Sequence, residues 1–442
     1  MPQPDSAPGW LERLYLRLSG QSSTEYEPGD SQQRATAKAF VQLLTAQWLT
    51  KVGDALVNPK ITLPWILSVL GAPAAFTGWL VPLRESGSLL PQLFIAAWVK
   101  RVAQRKWLWC LGSVLQALSV AALVLVVLLL EGATAGWAVL LLLAAFSLAR
   151  GLCSVSSKDV MGKVIAKPQR GSLTGVSASL AGLVTLAVAA ALWWLPESTL
   201  IYTVGFGLAA ALWLLAALVY SRIHEPASER EAEDLAPASV FQPLQAIWQD
   251  SLLMRFVIAR TLMLCSALSA PFYVVLAQQS DDSGLGLLAL LMAASGLASL
   301  VSGSVWGRLA DRSSRHVLLL ASALVAMCGV VVVAVDWKDA ELVALPWFIP
   351  LMYFLLSIAH EGVRTGRKTY LVNMADGNQR TDYVSASNTW IGLMLLLLGS
   401  IGSLSGVISV AGVILLLALL GLAGVAMAWT LPEVEEPEDE DD

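Results

Sequence analysis

The sequence predicts an all-α membrane protein with twelve transmembrane helices in two six-helix, pseudo-symmetric halves. Three observations carry this reading. Of 442 residues, 56% are hydrophobic and only 14% charged, where soluble domains run at about a quarter charged; the mean hydropathy is +0.66. Uninterrupted apolar runs reach the roughly 20 residues that a helix needs to cross a bilayer. From Leu115 to Leu130, for example, Ser119 is the only polar residue after Gln116. Finally, polar positions of the first half recur in the second at one constant spacing. No polar stretch is long enough for a large soluble catalytic domain.

In chain order, residues 1–35 read as a cytoplasmic N-terminal tail. The first 30 are polar, with prolines at 2, 4, 8 and 28 and no apolar core, which excludes a signal peptide. Trp10, Leu11, Leu14, Tyr15 and Leu18 recur at helical spacing opposite Glu12, Arg13 and Arg17. A short interfacial helix and a disordered tail both fit that pattern. The N-terminal half covers residues 36–221, with spans near 40–69, 75–99, 107–130, 137–155, 173–195 and 200–220. The first span carries Lys51, Asp54, Pro59, Lys60 and Pro64. That predicts a kinked helix with an extramembrane start; an amphipathic helix followed by a span from Ile61 is the alternative.

Residues 222–250 read as a cytoplasmic linker, acid-rich from Glu225 to Asp234, with a short surface helix around Trp248. The C-terminal half covers residues 251–430, with spans near 253–276, 285–305, 317–335, 345–362, 383–404 and 407–429. Residues 431–442 close the chain as an acidic, solvated, disordered tail. Its eight acids account for the negative net charge, since without them −5 becomes +3. Cys110, Cys153, Cys265 and Cys328 lie in or beside apolar segments with no CxxC spacing, as small packing residues do.

Charge asymmetry orients the spans. With both termini inside, 22 Lys and Arg residues fall on the inner side and one, Lys338, on the outer. That is the positive-inside pattern. A shift of 210 residues lays Ser147 on Ser357, Ala149 on Ala359, Lys158 on Lys368, Gln169 on Gln379 and Arg170 on Arg380. The same shift lays Arg101 on Asp311 and Arg105 on Arg315. Duplicated halves about an axis normal to the membrane are a known transporter architecture.

Between the eighth and ninth spans lies Gly307-Arg-Leu-Ala-Asp311-Arg312-Ser-Ser-Arg315-His316. This segment resembles the loop signature of the major facilitator superfamily, secondary transporters built from two six-helix halves. With the repeat and the linker, the resemblance covers essentially the whole chain. It implies that Asp311 and Arg315 latch the cytoplasmic side by pairing with charges and a helix end on the opposite half. Gly307 and Arg312 complete the motif. The first-half copy runs from Ala97 to Lys106 and departs from it. Arg105 is kept, but Arg101 stands where the acid belongs, so a latch there needs other partners.

Ionisable residues inside spans are the remaining signal, because a charge at mid-bilayer costs at least about 2.5 kcal/mol and calls for a cavity or a partner. These are Asp54, Arg84, Glu85, Arg150, Arg260, His360, Glu361 and Arg364. Adjacent helical residues point about 100° apart, so Arg84 and Glu85 diverge; His360 and Arg364 share a face. Each is either a transport or coupling group or a buried ion pair that fixes packing. Carboxylates in dry surroundings suit proton carriage. If Arg84 pairs with Glu85, Asp54 is the exchanging site; if Asp54 pairs with Lys51, it only holds its helix.

His360-Glu361 is not followed by the rest of an HExxH zinc site, and no GxxxxGK[ST] phosphate loop occurs. No cofactor, metal or nucleic-acid partner is expected. The resemblance implies a permease, not an enzyme. It would be a monomer in a bacterial inner (plasma) membrane that moves a small solute by alternating access with protons, and the arginines inside spans point to an anionic one. A transport-inactive scaffold or receptor on the same fold is the alternative.

Overall fold

The computed structural model describes residues 9–19, 30–227, 243–280, 284–374 and 379–435. The centre of the linker and the last seven residues of the acidic tail lie outside the described residues. All regular structure among the described residues is helical. The N-terminal set comprises α1 (Trp10–Ser19), α2 (Ser31–Leu56), α3 (Thr62–Val69), α4 (Thr77–Leu89), α5 (Gln92–Lys100), α6 (Lys106–Leu129), α7 (Gly132–Val164), α8 (Lys167–Trp193) and α9 (Thr199–Ser221). A short α10 (Pro243–Gln249) leads into the C-terminal set. That set comprises α11 (Ser251–Leu262), α12 (Cys265–Leu268), α13 (Ala270–Ser280), α14 (Leu285–Arg312), α15 (Ser314–Lys338), α16 (Ala340–Val343), α17 (Phe348–Asn373), α18 (Gln379–Gly399) and α19 (Ser405–Trp429).

Among the described residues, eight runs are long and apolar enough to cross a membrane; the last, from Tyr383 to Trp429, is 47 residues long and takes in most of α18 and all of α19. The first, second and tenth expected spans are not among the eight. Their helices carry the charges, and the first two are also interrupted. Asn58-Pro59 breaks the first, because proline lacks the N–H and clashes with the preceding turn. The break is locally satisfied: the Asn58 carbonyl accepts from Leu63 N at 2.9 Å and its side chain accepts from Lys60 N at 2.8 Å. Lipid offers no water to do this. The observed geometry is a helix broken at residues 57–61, sharper than the expected kink. The seventh span breaks too, between α11 and α12 and again before Pro271. Under the 210-residue shift these breaks nearly coincide.

The two sets meet along α4 with α18, α8 with α14, and α3 with α13. At the end of the bundle away from the Asp311 loop, Gly78 and Gly402 bring their backbones together so closely that a Cβ on either would overlap the other's Cα. Trp79 Nε1 donates to Ser403 Oγ at 3.1 Å beside them, and Gln278 Nε2 reaches the Trp65 carbonyl at 3.4 Å. This end is sealed. Gly402→Val is therefore expected to wedge it apart and to lower stability by about 1–3 kcal/mol, the cost of overpacking, which thermal unfolding of the variant measures.

Both terminal segments depart from solvated tails. Helix α1 packs on α2 and α8, with Tyr15 buried edge-on to Phe40 (ring centroids 5.3 Å apart) and accepting from Gln169 Nε2 at 2.7 Å. The acidic C-terminus begins by docking, not by fraying. Glu433 pairs with Arg315 at 3.4 Å and accepts from Ser313 Oγ at 2.7 Å. Glu435 accepts from Ser314 N at 3.0 Å and Asn373 Nδ2 at 3.3 Å. The reason is the N-terminus of α15, whose first N–H groups have no intrahelical partner and attract a carboxylate.

The first set repeats this device. Glu225, its side chain fully buried, accepts from Arg105 N at 3.1 Å, Lys106 N at 2.8 Å and Lys163 Nζ at 2.6 Å. The 210-residue shift lays Glu225 on Glu435 and Lys163 on Asn373. Glu225→Gln should lower stability by about 1–3 kcal/mol, since it takes the charge from a fully buried acceptor of three donors, one of them the Lys163 ammonium that Asp159 also holds at 2.9 Å. Glu435→Gln, which meets only neutral donors, should cost less; thermal unfolding of the two variants checks the order.

Candidate functional site

Two clusters of the sequence-predicted residues form around the helix breaks. In the first, Asp54 near the end of α2 accepts from Arg84 Nη2 at 3.0 Å and from Arg150 Nη1 at 2.7 and 2.5 Å. Arg84 also lies over the Phe146 ring, 4.9 Å from its centroid. One carboxylate thus serves two guanidinium groups. Neither of the two pairings that the sequence left open occurs among the described residues: Arg84 turns to Asp54, not to Glu85, and Asp54 makes no ion pair with Lys51. Charge-assisted bonds from two arginines engage both Asp54 oxygens, which is the arrangement of a structural ion-pair cluster.

The second cluster spans the two sets. Lys60, in the break between α2 and α3, lies 2.8 Å from Nε2 of His360 on α17. An ammonium only donates, so Nε2 accepts and the ring proton sits on Nδ1, which donates to Ser266 Oγ at 3.1 Å. The Ser266 hydroxyl in turn donates to the Met263 carbonyl at 2.9 Å. Ser266 sits in α12, beside the break of the seventh span.

These groups line a cavity of about 540 Å³ between the sets, walled by Lys60, Glu85, Lys158, Arg260, Arg364 and Arg367, among others. Lys368, Leu371 and Val372, near the end of α17, also line it, so it opens toward the Asp311 loop. A smaller polar chamber of about 160 Å³ adjoins it, reaching Asn58, Ser295, Ser299, Tyr353 and Ser357 and sharing Lys60, His360 and Glu361. Glu361 pairs with Arg364 at 2.5 Å. Glu85 points into the large cavity, as its divergence from Arg84 requires, and its carboxylate has no hydrogen-bond or ion-pair partner among the described residues.

Arg260, 7% exposed, donates from Nη1 to Ser387 Oγ at 2.5 Å and from Nη2 to Asn388 Oδ1 at 3.0 Å, while its Nε is buried and unbonded. It has no acidic partner among the described residues. Lys60, Lys158, Arg367 and Lys368 were not among the sequence-predicted site residues. The Asn58-Pro59 break marked Lys60, and the Lys158–Lys368 coincidence under the repeat marked that pair. Arg367 left no signal beyond its charge.

The loop motif lies outside the cavity. Gly307, Asp311 and Arg312 close α14; Asp311 and Arg312 are exposed, with no ion pair among the described residues. Arg315 donates to the Trp429 carbonyl at 2.9 Å and pairs with Glu433, both within its own set. Arg101 caps α5, and Arg105 pairs with Asp159. None of these contacts crosses to the opposite set.

A bundle whose charged cavity lies between two helix sets, sealed at one end and entered beside broken helices, is the architecture of a membrane carrier. The Major Facilitator Superfamily profile matches residues 43–397, and the chain belongs to that family. No curated protein matches it by sequence. Among solved structures, it is similar to a POT family transporter in complex with 5-aminolevulinic acid (TM-score 0.68, 12% identity, covering 88% of this chain and 94% of that one). It is also similar to a D-xylose-proton symporter (0.65, 12%, 90% and 98%). The inward open xylose transporter XylE from E. coli is a third (0.61, 11%, 91% and 97%).

Proposed function

We propose that this chain is a secondary active permease that moves a small solute by alternating access, coupled to protons. Twelve spans in two six-helix halves rock about the cavity, with residues 36–221 and 251–430 as the halves and 222–250 as the linker between them. Both termini face the cytoplasm of a bacterial inner membrane, and the protein works as a monomer within the lipid bilayer. The cavity is the observation that carries this reading. Both helix sets wall it, it is sealed at the Gly78–Gly402 end and open at the other, and breaks in two corresponding spans flank it. In that arrangement the molecule faces inward. Glu85 is the proton carrier, being the lining carboxylate without a partner among the described residues, and the Asp311 motif is a latch disengaged in this state. A scaffold would have no use for several charges inside an open cavity.

The test is access from both faces. With the four native cysteines replaced by alanine, Ala267→Cys in the cavity wall is expected to react with a membrane-impermeant maleimide from either side of the membrane. A fixed scaffold would react from one side only.

A further inference from the structure

We infer that the cargo is an organic anion carrying at least two negative charges, and that its charge is what lets the two walls of the cavity come together. The inference rests on the permease reading and supplies its substrate class. With Glu361 tied to Arg364, the described residues leave five cations on the walls, namely Lys60, Lys158, Arg260, Arg367 and Lys368, against the single carboxylate of Glu85. The His360 ring that touches Lys60 is the Nδ1–H tautomer and adds no charge.

Inner-side topology accounts for lysines near helix ends. It does not account for Arg260, a guanidinium buried within the seventh span whose bonds go only to a hydroxyl and an amide oxygen. A buried charge with neutral partners alone is incomplete. It faces the cavity, and an anion there completes it. Leu89, Leu264, Ala267, Ile391 and Leu395 add apolar wall, beside the neutral polar groups of Gln92 and Asn388. Its volume suits an organic molecule rather than a bare inorganic ion.

The cations are divided between the walls. Lys60 and Lys158 come from the N-terminal set, and Arg260, Arg367 and Lys368 from the C-terminal set; Lys158 and Lys368 are repeat equivalents. Empty, the two walls repel as they approach. A polyvalent anion between them turns that repulsion into a bridge, so that loading and closure become one event.

Thermal unfolding of the purified full-length protein in lipid nanodiscs, at matched ionic strength, tests this with citrate and glucose 6-phosphate against glucose and putrescine. The anions are expected to raise the midpoint saturably, while glucose and putrescine leave it unchanged. Because Arg260→Gln is a buried change, Arg367→Gln and Lys368→Gln are measured as well. Each is expected to raise the half-saturating anion concentration by about tenfold, the loss of one charge-assisted contact. Stabilisation by glucose or putrescine equal to that by the anions overturns the inference. So does no stabilisation by either anion, or an unchanged half-saturation in both variants. The permease reading fails separately, on one-sided reactivity of the Ala267→Cys variant.

Discussion

Asp54→Asn is expected to destabilise the protein by about 3 kcal/mol, the low end of the cost of breaking a buried ion pair. The reason is geometric. Asp54 alone answers both Arg84 and Arg150, and the asparagine leaves two guanidinium groups facing each other across one neutral amide. The estimate sits at the low end because Asp54 and Arg150 keep 21% and 34% side-chain exposure. Adding Arg150→Gln to the variant should restore part of the loss by removing one of the stranded charges. Thermal unfolding of the single and double variants measures both effects. At matched amounts of folded protein, Asp54→Asn should still respond to a pH gradient, since both Asp54 oxygens are taken up by arginines in a structural cluster.

Glu85→Gln should have the opposite profile. Its carboxylate faces the cavity without a partner among the described residues, so losing the charge costs little stability. In proteoliposomes loaded with the anion that stabilises the protein best, the variant is expected to lose accumulation driven by a pH gradient down to the level of empty vesicles. Exchange between two pools of the same solute needs no net proton movement and should survive. A variant that still accumulates solute like wild type would remove Glu85 as the carrier, and one that loses exchange as well would make it a binding group.

Much of the fold was legible in the sequence because lipid imposes simple rules. Apolar runs of sufficient length, and the signature from Gly307 to His316, made the helical membrane architecture and the family readable. The divergence of Arg84 from Glu85 followed from helix geometry alone, and Asn58-Pro59 marked the break that places Lys60 in the cavity.

Partner choice was not legible. Hydropathy reports that a charge in a span is costly, but not which residue relieves the cost. Asp54 meets Arg84 and Arg150, 30 and 96 positions away, and Lys60 meets His360 across 300. Composition suggested that the acidic tail would be solvated. The tail's first acids instead follow the electrostatics of a helix N-terminus that folding brings beside them. Arg260 could not be recognised as uncompensated until its neighbours proved to be Ser387 and Asn388.

Alternating access about this cavity is the central claim, and the distance across its mouth tests it most directly. Spin labels at Met161→Cys on α7 and Val372→Cys on α17, in nanodiscs and with the native cysteines replaced, report that distance by pulsed electron resonance. The account predicts two populations, with the shorter one growing when a bound anion closes the mouth. A single distance that no solute and no pH shifts would contradict it.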